Sequence, residues 1–176
     1  EEINFADNNL SDIAALESEI SSLNTLDVSG NELSFVELEA FNAIANFSYD
    51  NQELNYAIPN EYLEFLNADL SIVVNAPATS NTFQWYKDSE LIEGKTDSVL
   101  IFNNLEKADE GLYNLEVRND LLGDLILTSN KTELKVSSLE RDVQALREFY
   151  ESTNGDNWST ITWDTTSNDP TEWSTN

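Results

Sequence analysis

Cysteine, histidine and methionine are all absent from these 176 residues. Without cysteine there is no disulfide framework, no thiol nucleophile and no thiolate metal site. Without histidine the commonest general base and zinc ligand is missing. Glycine and proline are scarce, at five and three residues, and the glycines never cluster into a phosphate-cradling loop. No apolar run approaches the ~18 residues that a membrane-spanning helix needs. Positive charge is also in short supply: eight Lys and Arg stand against 34 Asp and Glu, a formal net charge of -26. All eight basic residues lie between Lys87 and Arg147, so the first half of the chain carries none. Such a field repels phosphate backbones and anionic lipid, which argues against nucleic-acid partners and peripheral membrane binding, while the lack of an apolar run argues against membrane insertion.

What remains is enough for a packed core, with 40% hydrophobic and 10% aromatic residues. The surplus carboxylates read first as a solvated surface. They are also candidate oxygen ligands for Ca²⁺, although no run matches the spaced acidic loop of an EF-hand. No other cofactor is implied.

The first segment repeats itself. Ile3, Phe5, Asn8 and Leu10 recur at the same offsets as Leu26, Val28, Asn31 and Leu33, and again as Phe47, Tyr49, Gln52 and Leu54. Steps of 23 and 21 residues suit a unit of one short strand and a return segment. Alternation at Leu26 and Val28 marks a strand whose inward side chains stack on those of the neighbouring units. Asn8 and Asn31 are placed to satisfy backbone groups where the chain leaves each strand. Gln52 is expected to break that ladder. Ile13, Leu16 and Ile20, then Val36, Leu38 and Phe41, are expected to fill the convex side. The register LNTLDVSGNEL, from Leu23 to Leu33, resembles the leucine-rich repeat, and the resemblance implies a solenoid whose last unit ends near residue 57.

The period then changes. Leu70, Ile72 and Val74 alternate, a turn-rich NAPATSN follows, and Phe83 and Trp85, Leu100 and Phe102, and Leu115 and Val117 continue the alternation. Short strands separated by polar turns point to a β-sandwich over 58–137. Trp85 in FQWYKD, together with Asp109, Gly111 and Tyr113 in ADEGLYNLEV, resembles the immunoglobulin-like fold. That resemblance implies a buried strand tryptophan and a corner tyrosine tied to upstream backbone. It also places Val74 and Leu115 where a disulfide would stand in that family, so packing must replace the bridge.

From Ser137 the pattern becomes helical. Ser137 and Glu140 form an S-x-x-E capping box ahead of a stripe of Leu139, Val143, Leu146 and Tyr150, and Asn154-Gly155 supplies a stop. The stretch 138–176, with Trp158, Trp163 and Trp173, resembles the helical cap that opens a further repeat block in large bacterial surface proteins. The expected fold class is therefore mixed and modular: a repeat end (1–57), a sandwich (58–137) and an amphipathic cap helix (138–176). The chain opens and closes inside such patterns, and so reads as an excerpt of a larger protein.

No catalytic constellation is visible. Glu1-Glu2 and Asp109-Glu110 are neighbours in sequence only, whereas glycosidase chemistry sets two carboxyls ~5–9.5 Å apart across a sugar. The expectation is a protein without enzymatic activity. Binding is expected on the strand positions that face away from the repeat core: Glu2 and Asn4; Thr25, Asp27 and Ser29; Asn46, Ser48 and Asp50. The combined resemblances imply secreted or surface-displayed proteins of Bacteroidota, and so an extracellular adhesion or recognition module with a protein or glycan partner. Two alternatives stay open: a building block of a self-assembling appendage, which would associate with itself, and an accessory region of a secreted glycanase or protease.

Overall fold

The computed structural model of the protein describes residues 1–157. Its strands are β1 (Glu2–Asn4), β2 (Thr25–Asp27), β3 (Asn46–Ser48), β4 (Asn55–Tyr56), β5 (Glu61–Phe65), β6 (Leu70–Val73), β7 (Asn81–Lys87), β8 (Glu90–Leu91), β9 (Val99–Phe102), β10 (Gly111–Asn119), β11 (Ile126–Ser129) and β12 (Thr132–Ser137). Two α-helices are present among the described residues, α1 (Phe35–Glu39) and α2 (Leu139–Ser152), with a 3₁₀ stretch at Ala14–Ser22. The fold is thus rich in β-structure. None of its described helices is long and apolar enough to cross a membrane. The described residues divide into two compact units: Glu1–Asn60 with Ser71–Ile101 and Gly111–Glu133, and Glu61–Leu70 with Phe102–Glu110 and the chain from Leu134 onward.

In the first unit, β1, β2 and β3 lie side by side and parallel, with Ile3 opposite Leu26 and Leu26 opposite Phe47. The offsets seen in the sequence are therefore the register of the sheet. Leu26, Val28 and Leu33 are fully buried. At the third unit of the pattern aromatic rings replace the aliphatics, with Phe47 between Phe41 and Tyr49 at centroid distances of 6.2 and 4.8 Å.

Where the chain turns out of β2, Asn31 is 1% exposed. Its side-chain nitrogen donates to the carbonyls of Phe5, Val28 and Ser29 at 2.9, 2.9 and 3.1 Å. Its oxygen accepts from the Leu10 N–H at 3.0 Å. Gln52 does the same one step later, contrary to the break expected there. It donates to the Val28 and Tyr49 carbonyls, both at 2.9 Å, and accepts from the Leu33 N–H at 2.9 Å. The extra methylene of glutamine leaves the amide chemistry unchanged, so the ladder continues. Asn8 makes only two such bonds, to the Phe5 and Ala6 carbonyls, from an exposed position. Beside this turn Gly30 has φ +64°, and a Cβ there would come within 2.4 Å of Asp7 Oδ1 and 3.3 Å of its backbone, so the crossing is closed to larger residues.

A second correction concerns the return segments. Ile13 is buried and Leu16 and Ile20 half-buried. In the next segment Val36 is 44% exposed, and Phe35 is buried beside Leu38 and Phe41. The cause is a capping box at Ser34 and Glu37, which starts α1 one residue earlier than the apolar spacing suggests and turns Val36 outward.

The rest of the first unit is antiparallel around β10, which pairs with β7 from Tyr113 to Asn119 and with β11 on its other edge. β8 extends the sheet beyond β7, and β4 joins β11 in parallel. Apart from their end residues Leu70 and Phe102, β6 and β9 also belong to this unit and form a two-stranded sheet. Ile72, Val74, Trp85, Leu115 and Val117 are buried on the expected alternation, and Trp85 Nε1 donates to the Asp97 carbonyl at 2.8 Å.

In the second unit Leu66 N–H donates to the Ser137 carbonyl at 2.8 Å, and Lys135 pairs with Glu61. Glu110 accepts from Lys107 Nζ at 2.5 Å and from the Val136 N–H at 2.9 Å. Ser137 belongs to β12 and is buried, so Ser138 precedes the helix. Asn154, at φ 57°, ends the helical run, and Tyr150 donates to Asp156 at 2.9 Å. Trp158, Trp163 and Trp173, expected to complete a cap, lie outside the described residues, as do the side chains of Leu139, Glu140 and Val143.

The amide ladder generates a contrast. Asn31→Ala strands buried backbone groups and is expected to cost about 2–4 kcal/mol in urea unfolding. Asn8→Ala, at an exposed position, should stay within about 0.5 kcal/mol of the parent. Equal costs at the two sites would show that the Asn31 bonds are not what holds the turn.

Candidate functional site

Parallel pairing brings the predicted face together row by row. Glu2 stands opposite Thr25, and Thr25 opposite Asn46; Asn4 stands opposite Asp27, and Asp27 opposite Ser48. Ser29 and Asp50 follow at the strand exits, where the Gly30 N–H donates to the Asp50 carbonyl at 2.9 Å. Glu2, Asn4, Asn46, Ser48 and Asp50 are exposed, while Thr25, Asp27 and Ser29 are half-exposed. This is the reverse of the buried set on the same strands, as a period of two requires.

Part of this polarity is spent locally. Asp27 Oδ1 accepts from the Ser29 N–H at 3.1 Å and hydroxyl at 2.6 Å. Asn4 Oδ1 accepts from the Ala6 N–H at 2.9 Å, and Asn46 donates to the Asn24 carbonyl at 3.1 Å. Glu2, Thr25, Ser48 and Asp50 make no side-chain hydrogen bond among the described residues. The face therefore offers two free carboxylates and two free hydroxyls to a ligand. Among the described residues no group of three or more acidic side chains is arranged to hold a metal ion, so the Ca²⁺ expectation finds no such cage there.

The motif residues of the second segment are placed separately. Asp109 accepts from the Glu106 N–H at 2.8 Å and closes the 106–109 turn. Gly111 opens β10, where a Cβ would meet Lys87 Cε at 2.7 Å and Asp88 Oδ2 at 2.8 Å. Tyr113 is 2% exposed, with Lys87 Nζ 5.8 Å from its ring centroid. These contacts hold the 106–109 turn and the start of β10 in place.

A further polar cluster is one the sequence did not announce. Glu39, at the end of α1, accepts four hydrogen bonds: from Thr79 N–H at 3.0 Å and Oγ1 at 2.9 Å, from Ser80 N–H at 2.8 Å, and from Asn119 Nδ2 at 2.6 Å. Asn119 is itself 2% exposed and also donates to Asn81 Oδ1 at 2.9 Å. Partners 40 and 80 residues distant leave no local signal in a sequence. Nearby, burial raises the Tyr49 hydroxyl pKa, helped by Asp50 and Asp124, and burial pushes that of Tyr56 up to about 12.

No protein-family model matches this chain, and no curated protein matches it. Among solved structures it is similar to a Dscam structure addressing isoform specificity, at 23% identity and TM-score 0.40 over 50% of this chain and 23% of that one. A structure of the N-terminal four Ig domains of Dscam1 isoform 4.4 aligns at 25% identity and TM-score 0.41, over 47% and 20%. Extracellular domains 3–5 of Drosophila OTK align at 13% identity and TM-score 0.38, over 45% and 33%. The chain spans a third or less of the length of each. At TM-scores near 0.4 these likenesses do not establish a shared fold.

Glu39 carries a pH dependence. Desolvation pushes its carboxyl upward, but the bonds from Thr79, Asn119 and Ser80 outweigh that and hold it below the ordinary value of 4.5. Its contribution to stability is thus complete above pH 4.5 and is lost as the pH falls through the folded-state value. Glu39→Gln is expected to lower stability at neutral pH and to flatten the acid limb of the stability curve, followed by urea unfolding at stepped pH. Parallel curves for parent and variant would assign the acid limb to other carboxylates.

Proposed function

We propose that this chain is a non-catalytic extracellular recognition module: the end of a leucine-rich-repeat block followed by an immunoglobulin-like sandwich that acts as a spacer. The repeat reading is supported by three parallel strands in register at steps of 23 and 21 residues, crossed by the Asn31 and Gln52 amides. The sandwich reading is supported by the order β8-β7-β10-β11-β4 beside the separate β6-β9 pair. Buried Trp85 on β7 and Tyr113 on β10 fit that arrangement. On this reading the domains run 1–57, 58–137 and 138–176, the last opening a further repeat block in a large surface or secreted protein of Bacteroidota.

One observation carries the functional part. The parallel ladder gathers Glu2, Thr25, Ser48 and Asp50 on one open face with their polar groups unspent. Hydroxyls and carboxylates so displayed suit a hydroxyl-rich glycan or a basic protein surface at a cell exterior. A screen of the full chain against a glycan array and whole cells, with and without Ca²⁺, tests this. Binding that falls at least about tenfold in a Glu2→Gln, Asp50→Asn double variant is the expected result, equivalent to about 1.4 kcal/mol. Binding untouched by those substitutions would move recognition off this face, and none under any condition would leave the chain a spacer or assembly unit.

A further inference from the structure

We propose that Glu39 is the latch of a rigid joint that makes the β1–β3 ladder and the β7–β10–β11 sheet a single body. This rests on the two-module reading above and adds how the recognition face is held: at one fixed angle to its spacer.

The joint has two ties at different places. The first is the Glu39 carboxylate, which gathers donors from the 79–80 turn and from Asn119 at the end of β10. Those donors are organised before Glu39 reaches them. Asn81 donates to the Ala76 carbonyl at 3.0 Å and accepts from Asn119, while the Asp120 N–H donates to the Ser80 carbonyl at 3.0 Å. The acceptor is equally fixed, because α1 is capped at Ser34 and its Phe35 and Leu38 are fully buried. A carboxylate whose Ser80 and Asn119 donors are already held by other bonds loses less entropy on pairing.

The second tie is the chain itself. Nothing between Tyr49 and Glu61 resembles a flexible linker, since the stretch contains no glycine or serine. Instead β4 adds to the edge of β11, with Asn55 opposite Thr128 and Tyr56 opposite Ser129. Beyond it Asn130 pairs with Ile58 through both halves of its amide, at 2.7 and 2.9 Å. One tie would act as a hinge, allowing rotation about the connecting strand. A second tie displaced from that strand removes the rotation, and Glu39 supplies it.

The absence of cysteine makes the test direct. Spin labels placed through Ser18→Cys and Lys131→Cys on the full chain report the distance between the ladder and the sheet by double electron–electron resonance. The parent is expected to give one narrow peak. Glu39→Ala and, independently, Asn119→Ala are expected to lose that peak to a broad distribution, while Glu17→Ala, an exposed carboxylate outside the joint, keeps it. Should a variant lose its circular dichroism signature, Glu39→Gln and Thr79→Val give the same readout with less disturbance. A broad parent distribution, or a peak that stays narrow in every folded latch variant, overturns the proposal. Ligand binding with a broad parent peak would sink the joint and spare the recognition reading; a narrow, latch-dependent peak without binding would do the reverse.

Discussion

The structure depends on side-chain amides standing in for backbone where regular hydrogen bonding stops. A parallel ladder of three-residue strands makes few ladder bonds, and the exit of β2 leaves carbonyls and N–H groups largely shut off from water. Unpaired, each such group costs on the order of 1–3 kcal/mol. Asn31 and Gln52 close these exits by donating to carbonyls in their own and the preceding turn and accepting an N–H from the preceding one. Asn130 does related work at the interruption between β11 and β12, where it meets Ile58 as another strand would. That role occupies both ends of its amide.

The same logic explains how so acidic a chain tolerates its charge. Cations are too few to pair with the carboxylates, although ion pairs such as Lys107–Glu110 and Arg118–Glu116 form. Many carboxylates instead take backbone N–H groups. Asp12 accepts from Ala14, Glu37 from Ser34, Asp69 from Asn104, Asp88 from Leu112 and Asp109 from Glu106, all between 2.7 and 2.9 Å. Each bond satisfies a turn or helix start and delocalises negative charge onto a peptide dipole, without a basic partner. A large negative charge is in this sense part of the folding code as well as a solubilising coat.

Legibility followed the range of the interactions. Strand register was readable because identical offsets at Ile3, Leu26 and Phe47 write the stacking directly into the sequence. The alternation at Leu70, Ile72 and Val74 and the burial of Trp85 were readable for the same reason: a period of two survives any tertiary context that buries one face. Gln52 departs from asparagine in identity but not in position or chemistry: its offset matches that of Asn31 in the preceding unit, and its amide is the same group. Val36 was misread because the capping box at Ser34 and Glu37 outranks apolar spacing in a five-residue helix. Glu39 could not be read at all, since nothing in the VELEAF stretch of a short helix distinguishes it from a solvated acid. Its donors come from turns whose meeting is a product of the fold.

That last point bears on what the face of Glu2, Thr25, Ser48 and Asp50 can do. A polar strip of short side chains has few large contacts, so its affinity per group is small, and orientation matters more than area. In the proposed joint, holding the strip on a body fixed by Glu39 and by β4 removes the rotational freedom that a flexible spacer would add. In an array of such modules, faces set at constant angles let several weak contacts engage one surface together, and each added contact then acts at a high effective concentration. A floppy joint would spread the same faces over many orientations and forfeit that gain. On the recognition reading proposed above, the carboxylate at position 39 thereby governs how effectively Glu2 and Asp50 engage a surface.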